Sequence, residues 1–133
     1  MNDPLYILYA DDDADDILLM KKTVGELNHA REVVGVSNGY ELIKYLQSIK
    51  QGKAYPALIV LDIHMPRLNG KETLDLLKTD DMYRLIPVVM FSGDCNINDE
   101  DLFKRLGTEI VAKPKDYSDW TNTVKQLCTY CEE

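Results

Sequence analysis

The chain has 133 residues, 45% of them hydrophobic and 29% charged, a size and balance that suit one globular domain and exclude a disordered or membrane-embedded chain. Fifteen Lys and Arg stand against 23 Asp and Glu, for a formal net charge of −8; a nucleic-acid-binding surface needs clustered positive charge and is not expected. No apolar run approaches the roughly 20 residues of a membrane helix.

The opening MNDPLYILYADDD has no basic region ahead of its short apolar run and is not a signal peptide. Cys95, Cys128 and Cys131 then read as thiols of an intracellular protein rather than a disulfide framework. Leu5–Ala10 (LYILYA) is the first predicted strand, and Ile17, Met20, Val24 and Leu27 mark the face of a first helix. Glu32–Ser37 is the second strand. Asn38 with Glu41 resembles a capping box ahead of a stripe at Leu42, Leu46 and Ile49. Ala57–Leu61 (ALIVL) is the most apolar run and reads as a central strand. Asn69 with Glu72 opens a third helix with Thr73, Leu74 and Leu77 inward, and Pro87 precedes a strand at VVMF. Asn98 with Asp101 precedes Leu102, Phe103 and Leu106; Glu109–Ala112 is a fifth strand; Ser118 caps a last helix with Trp120, Val124, Leu127 and Cys131 on one stripe. Five successive strand–helix units predict an α/β protein, a parallel sheet with helices on both faces. Such sheets bind ligands beyond the carboxyl ends of their strands, where strand order reverses.

The residues at those ends are unusual. Asp11, Asp12 and Asp13 follow the first strand, Asp62 the third, Ser92 and Gly93 the fourth, and Lys113 and Pro114 the fifth; Ser37 and Asn38 after the second are cap chemistry. Two carboxylates ~4 Å apart repel by about 4 kcal/mol at an effective dielectric near 20. A cluster of them either takes up protons or binds a cation. Oxygen ligands alone favour a hard cation, and few carboxylates with room for water and phosphate suit Mg²⁺ better than Ca²⁺. Lys113 reads equally as a structural ion pair or as a group awaiting an anion. With the Ser92 hydroxyl and the unobstructed N–H of Gly93 it makes a cradle for phosphoryl transfer, in which a carboxylate can itself be the nucleophile.

Taken together, the acidic pair Asp11-Asp12 after LYILYA, LDIHMPRLNG around Asp62, FSG at Ser92-Gly93 and AKP at Lys113-Pro114 resemble the receiver domain of bacterial two-component response regulators, in its single-domain, chemotaxis-regulator-like form. Each piece alone is weak; four in order, each after a predicted strand, are specific and span nearly the whole chain. The resemblance implies one receiver domain over residues 1–133 with a flavodoxin-like, doubly wound (βα)5 fold and strand order 2-1-3-4-5. It implies that Asp62 takes a phosphoryl group from a sensor histidine kinase or phosphotransfer protein. Asp12 would ligate Mg²⁺ directly, Asp11 through water, Asp62 as the third carboxylate and His64 by its backbone carbonyl, with Mn²⁺ able to substitute. Ser92, Gly93 and Lys113 would contact the phosphoryl group, and the Lys113–Pro114 bond would be cis. Signalling would pass to an output protein, with no nucleic acid or membrane involved, from a cytoplasmic module that assists its own phosphotransfer and autodephosphorylation without being an enzyme proper. The output face implied is the fourth helix, fifth strand and last helix. The chain departs from the family at Ile110, where an aromatic often stands three residues before the Lys. Ser92 and Ile110 are thus the switch positions, and the aromatic half of the usual switch is missing. His64 and Asp94 occupy positions that in the family tune phosphate lifetime.

Plainer readings stand beside these. Asp13 and Asp16 suit the first turn of a helix. An EF-hand loop over Asp11, Asp13 and Asp15 fails, because Asp16 stands where Gly is needed and Lys22 where Glu is needed. Asp11 and Asp13 match the spacing of haloacid-dehalogenase-type phosphatases, a rival that leaves the Asp62 segment unexplained. A pure binding module is a third reading, opposed by Asp12, Asp62, Ser92 and Lys113 together. Ser92-Gly93 alone is a turn, and Lys113 alone a surface lysine. Cys128 and Cys131, a CxxC without a second pair, read as helix thiols, Trp120 as core, and His29 carries no signal.

Overall fold

Leu58–Leu61 is apolar and buried throughout, and forms the centre of the sheet. Around it the computed structural model, which describes residues 5–27, 31–93 and 97–131, alternates strands and helices. They are β1 (Tyr6–Ala10), α1 (Ala14–Leu27), β2 (Glu32–Val36), α2 (Gly39–Ser48), β3 (Leu58–Leu61), α3 (Gly70–Thr79), β4 (Val88–Ser92), α4 (Ile97–Arg105), β5 (Glu109–Ala112), a 3₁₀ turn (Tyr117–Asp119) and α5 (Trp120–Thr129). All strand pairs are parallel and the order is β2-β1-β3-β4-β5, the expected flavodoxin-like α/β arrangement. After β1 the chain moves outward to β2, then returns across β1 to β3. The strand order therefore reverses between β1 and β3, and a crevice opens at their carboxyl ends.

Alternation along the strands splits the core into two layers. Leu8, Ile59, Leu61 and Met90 pack with Leu42, Leu46, Leu74, Leu77 and Phe103 of α2, α3 and α4. Ile7, Tyr9, Val60 and Phe91 pack with Met20, Val24, Trp120, Val124 and Leu127 of α1 and α5. Trp120 is core, as expected. Cys128 and Cys131 remain thiols against this second layer. His29, Asp94 and Cys95 lie outside the described residues.

The caps explain where most helices begin. Asn38 Oδ1 accepts the Glu41 N–H at 2.8 Å, and Asn69 with Glu72 forms a complete capping box. Asn98 differs from expectation: α4 already includes Ile97, two residues before the start that a cap at Asn98 would give, so Asn98 lies inside the helix. Ser118 lies within the 3₁₀ turn, and α5 starts at Trp120 without a side-chain cap. On α1, Leu27 is exposed and Thr23 is buried instead; its hydroxyl donates to the Leu19 carbonyl at 2.8 Å, which lets a polar residue occupy the core face. Gly107 ends α4 at φ +70°. The Thr108 and Gly107 N–H groups turn back to the Phe103 and Lys104 carbonyls at 2.9 and 3.0 Å, a Schellman closure that favours glycine.

The cis bond expected between Lys113 and Pro114 is corrected: no described peptide bond is cis. A trans bond is the default for X–Pro, by about 0.5–1 kcal/mol.

Candidate functional site

The sheet itself aims the acidic residues. The Asp11 N–H donates to the Val36 carbonyl and the Asp62 N–H to the Ala10 carbonyl, both at 3.0 Å. Each aspartate therefore continues the ladder one residue past its strand and points into the crevice between β1 and β3. Asp11 and Asp62 are buried, whereas Asp12 is exposed. One carboxylate oxygen from each of the three lies within 4.8 Å of the others. Asp13 stays outside: it is exposed, and its Oδ1 accepts the N–H groups of Asp15 and Asp16 at 2.9 and 3.3 Å, capping α1. That removes the Asp11/Asp13 pairing on which the phosphatase rival rested.

Glycine shapes the loop after Asp62. The Gly70 N–H donates to the Ile63 carbonyl at 2.9 Å, and a Cβ on Gly70 would lie 2.4 Å from the Asp62 carbonyl oxygen and 2.8 Å from Ile63 Cα. Backbone atoms cannot yield as a flexible side chain would, so the segment folds back this tightly only with glycine there. His64 is exposed, and its N–H donates to Asp62 Oδ1 at 3.3 Å.

Lys113 reaches in from the end of β5, its backbone N–H bonded to the Ser92 carbonyl at 3.0 Å. Its Nζ lies 2.6 Å from Asp11 Oδ2, 2.9 Å from Asp16 Oδ2 and 3.4 Å from Asp62 Oδ2. Ser92 is buried at the end of β4, with exposed Gly93 next to it; a Cβ on Gly93 would lie 3.8 Å from Lys113 Cβ, an ordinary contact. Ile110 stands apart from the carboxylates. It is half-buried against the α2–α3–α4 layer and, with Ser92, Gly93 and Thr108, lines a cavity of about 590 Å³ between α4 and β5.

Two members of the site escaped the sequence reading. Asp16 was expected only as a first-turn charge, yet it holds Lys113. The signal was its place four residues before buried Met20, hence on the inward face of α1. Tyr9 was expected only as a β-former, yet its hydroxyl donates to Asp11 Oδ2. The signal there was the two-residue spacing, which puts Tyr9 and Asp11 on the same face of a strand.

Three carboxylates (Asp11, Asp16, Asp62) thus surround one ammonium, and Asp12 adds a fourth beside Asp11 and Asp62. Burial pushes the Asp62 carboxyl up to about 6, the nearby Asp11 charge adds to this, and Lys113 and the His64 N–H oppose it. Burial alone would lower Lys113, but its bonds to Asp11 and Asp16 and the charges of Asp11 and Asp62 raise it above the ordinary lysine value. Tyr9 is raised mainly by burial and then by Asp11. A site with this excess of negative charge and converging oxygens fits a hard divalent cation, which removes the repulsion without proton uptake.

Known proteins resemble this chain along most of its length. The response regulator receiver domain family matches residues 7–125. The polar-differentiation response regulator DivK of Brucella anthropi is 31% identical over 94 residues, 67% of this chain and 76% of DivK. The probable methanogenesis regulatory protein FilR2 of Methanothrix harundinacea is 25% identical over 96% of this chain and 84% of its own. Among solved structures, the phosphorylated cyanobacterial phytochrome response regulator RcpA superposes with a TM-score of 0.83 at 28% identity, over 92% of this chain and 90% of RcpA. CheY4 of Vibrio cholerae shares the fold, at a TM-score of 0.76 and 20% identity over 96% and 98% of the two chains. With its strand order, its converging aspartates and this family match, the chain belongs to the response regulator receiver domains.

Proposed function

We propose that residues 1–133 are one receiver domain that accepts a phosphoryl group on Asp62 from a phosphohistidine donor. The donor is a sensor histidine kinase or a phosphotransfer protein, and the module works in the cytoplasm where such donors act. An Asp62 carboxylate oxygen attacks phosphorus, the donor's P–N bond breaks, and the imidazole leaves with the electron pair. The observation that carries this reading is Lys113 Nζ within 3.4 Å of Asp62 and 2.6 Å of Asp11, beside three carboxylate oxygens that converge within 4.8 Å. Asp11, Asp12, Asp62 and the His64 backbone carbonyl would hold Mg²⁺, or Mn²⁺ in its place. The ion, when bound, supplies charge neutralisation for the incoming phosphoryl oxygens. Lys113 is already poised to donate to those oxygens, and Ser92 and Gly93 offer a hydroxyl and an N–H from the end of β4. RcpA, whose structure is of the phosphorylated form, supports the same chemistry here.

The new charge is read out as altered protein contacts rather than as catalysis on a separate substrate. Ser92 and Ile110 are the switch positions. Ile110 has no ring to swing, so repacking of Ser92 and α4 around the cavity between α4 and β5 carries the change to an output protein. The test is to incubate the chain with Mg²⁺ and a small acyl phosphate donor and to locate phosphate by mass spectrometry. One phosphoryl group on Asp62 is expected, lost in Asp62→Asn or with a chelator. Unchanged labelling in Asp62→Asn would overturn the assignment.

A further inference from the structure

We propose that Tyr9 is a positioning residue for the metal site: its buried hydroxyl fixes the Asp11 carboxylate in the orientation that a divalent ion requires. This rests on the reading of Asp11 as a metal-site residue given above.

Tyr9 is fully buried on β1, packed among mainly apolar side chains. A hydroxyl in such a layer is costly unless it is bonded, and this one donates to Asp11 Oδ2. The ring has little freedom. It packs edge-on against Phe91, centroids 5.9 Å apart at 60°, and Phe91 packs edge-on against Trp120 at 5.6 Å and 90°. A donor carried on a ring locked this way is pre-organised.

Asp11 is correspondingly constrained. Its Oδ1 accepts the Asp13 N–H at 2.9 Å, while Oδ2 is shared by the Tyr9 hydroxyl and Lys113 Nζ. Lys113 also bonds Asp16 and Asp62, and it is the group a phosphoryl oxygen on Asp62 would draw away. When Lys113 turns to that oxygen, Tyr9 is the donor that stays on Oδ2 and keeps the carboxylate from rotating. Outer partners of this kind typically change metal affinity by about 10–100-fold when removed.

Tyr9→Phe keeps the ring and deletes the donor. The affinity for Mn²⁺ is measured from the free-ion electron paramagnetic resonance signal, with Mg²⁺ as competitor, and melting in chelator checks the fold. A roughly tenfold weaker affinity is expected. An affinity within twofold of the parent, or a tighter one, overturns the proposal, even if the melting temperature falls. If the parent chain itself binds neither ion, the metal-site reading fails rather than this one. A measurement on the unaltered chain guards against a misfolded variant. The Tyr9 hydroxyl proton, shielded from exchange, is expected to give an NMR resonance that shifts on Mg²⁺ addition; a resonance that ignores the ion overturns the proposal.

Discussion

Lys113 and Asp16 are 97 residues apart in sequence, and Nζ of the first lies 2.9 Å from Oδ2 of the second. The contact joins the end of β5 to the first turn of α1 across the crevice. It gives the ammonium a third carboxylate besides Asp11 and Asp62. Before any phosphoryl group arrives, Lys113 is therefore a shared counter-ion. If Asp62 takes the phosphoryl group as proposed, Asp16 would compete with that anion for Lys113.

Replacing that competitor gives the first expected outcome. Asp16→Asn keeps the shape of the side chain and removes its charge, so more of the Lys113 interaction falls to the phosphoryl oxygens. A partly exposed ion pair is worth up to about 1 kcal/mol, which corresponds to a rise of about two- to fivefold in the ratio of phosphorylated to free protein at steady state. Mass spectrometry with a limiting acyl phosphate donor reads that ratio. An unchanged or lower ratio would mean that Asp16 does not compete for Lys113.

The titration of Asp62 gives the second. Its folded value is raised from 3.8 to about 6, so in the metal-free protein the folded state binds this proton more tightly than the unfolded chain does. The stabilisation from this group is fully present below about pH 4 and is lost as pH rises through about 6. Asp62→Asn, which mimics the neutral form, should gain about 1–2 kcal/mol over the metal-free parent at pH 7, after allowance for solvent screening, and nothing at pH 3.5. Mg²⁺ should reverse the order: an ion at 100 times its dissociation constant adds about 2.7 kcal/mol to the parent. Denaturant unfolding at the two pH values, with and without Mg²⁺, measures all three. A metal-free parent that gains stability from pH 4 to 7 relative to Asp62→Asn would contradict the sign.

How much of this was legible in the chain depends on where each residue's partners lie. Asp11, Asp12, Asp62 and Lys113 were readable because each stands directly after an apolar run, and parallel strands send such residues to one rim. Asn38 and Asn69 were readable because a side-chain cap on a helix start closes within four residues. Asp16 and Tyr9 were harder. Their spacing to Met20 and Asp11 gives the face each occupies, but the partners they meet there, Lys113 for Asp16 and the Phe91 ring beside Tyr9, come from distant segments of the chain. Ser118 looked like a cap, but the chain enters α5 through a 3₁₀ turn with Trp120 anchored in the core, so burial of that ring sets the helix start. The trans geometry at Pro114 had no local signal, since the two isomers of an X–Pro bond differ by only about 0.5–1 kcal/mol.

The third outcome concerns the tie between α3 and α4. Lys71 Nζ and Asp99 Oδ1 are 2.6 Å apart, and the pair is lopsided: the Lys71 side chain is 45% exposed and that of Asp99 only 3%. Lys71 stands in the first turn of α3, next to Gly70 and the Asp62 loop, whereas Asp99 stands in the first turn of α4, beyond Ser92. The two halves do not cost the same to break. Asp99→Asn leaves an ammonium that can turn to water, at a cost of about 1 kcal/mol. Lys71→Met removes the cation beside a buried carboxylate, and a buried charge that loses its counter-ion costs more, about 1–3 kcal/mol. Lys71→Met should therefore be the less stable of the two in denaturant unfolding, although it alters the more exposed residue. Hydrogen exchange should quicken first in α4, whose exposed Ile97 contributes little burial of its own. Equal costs, or a larger loss in Asp99→Asn, would mean that the lysine does not compensate the buried charge.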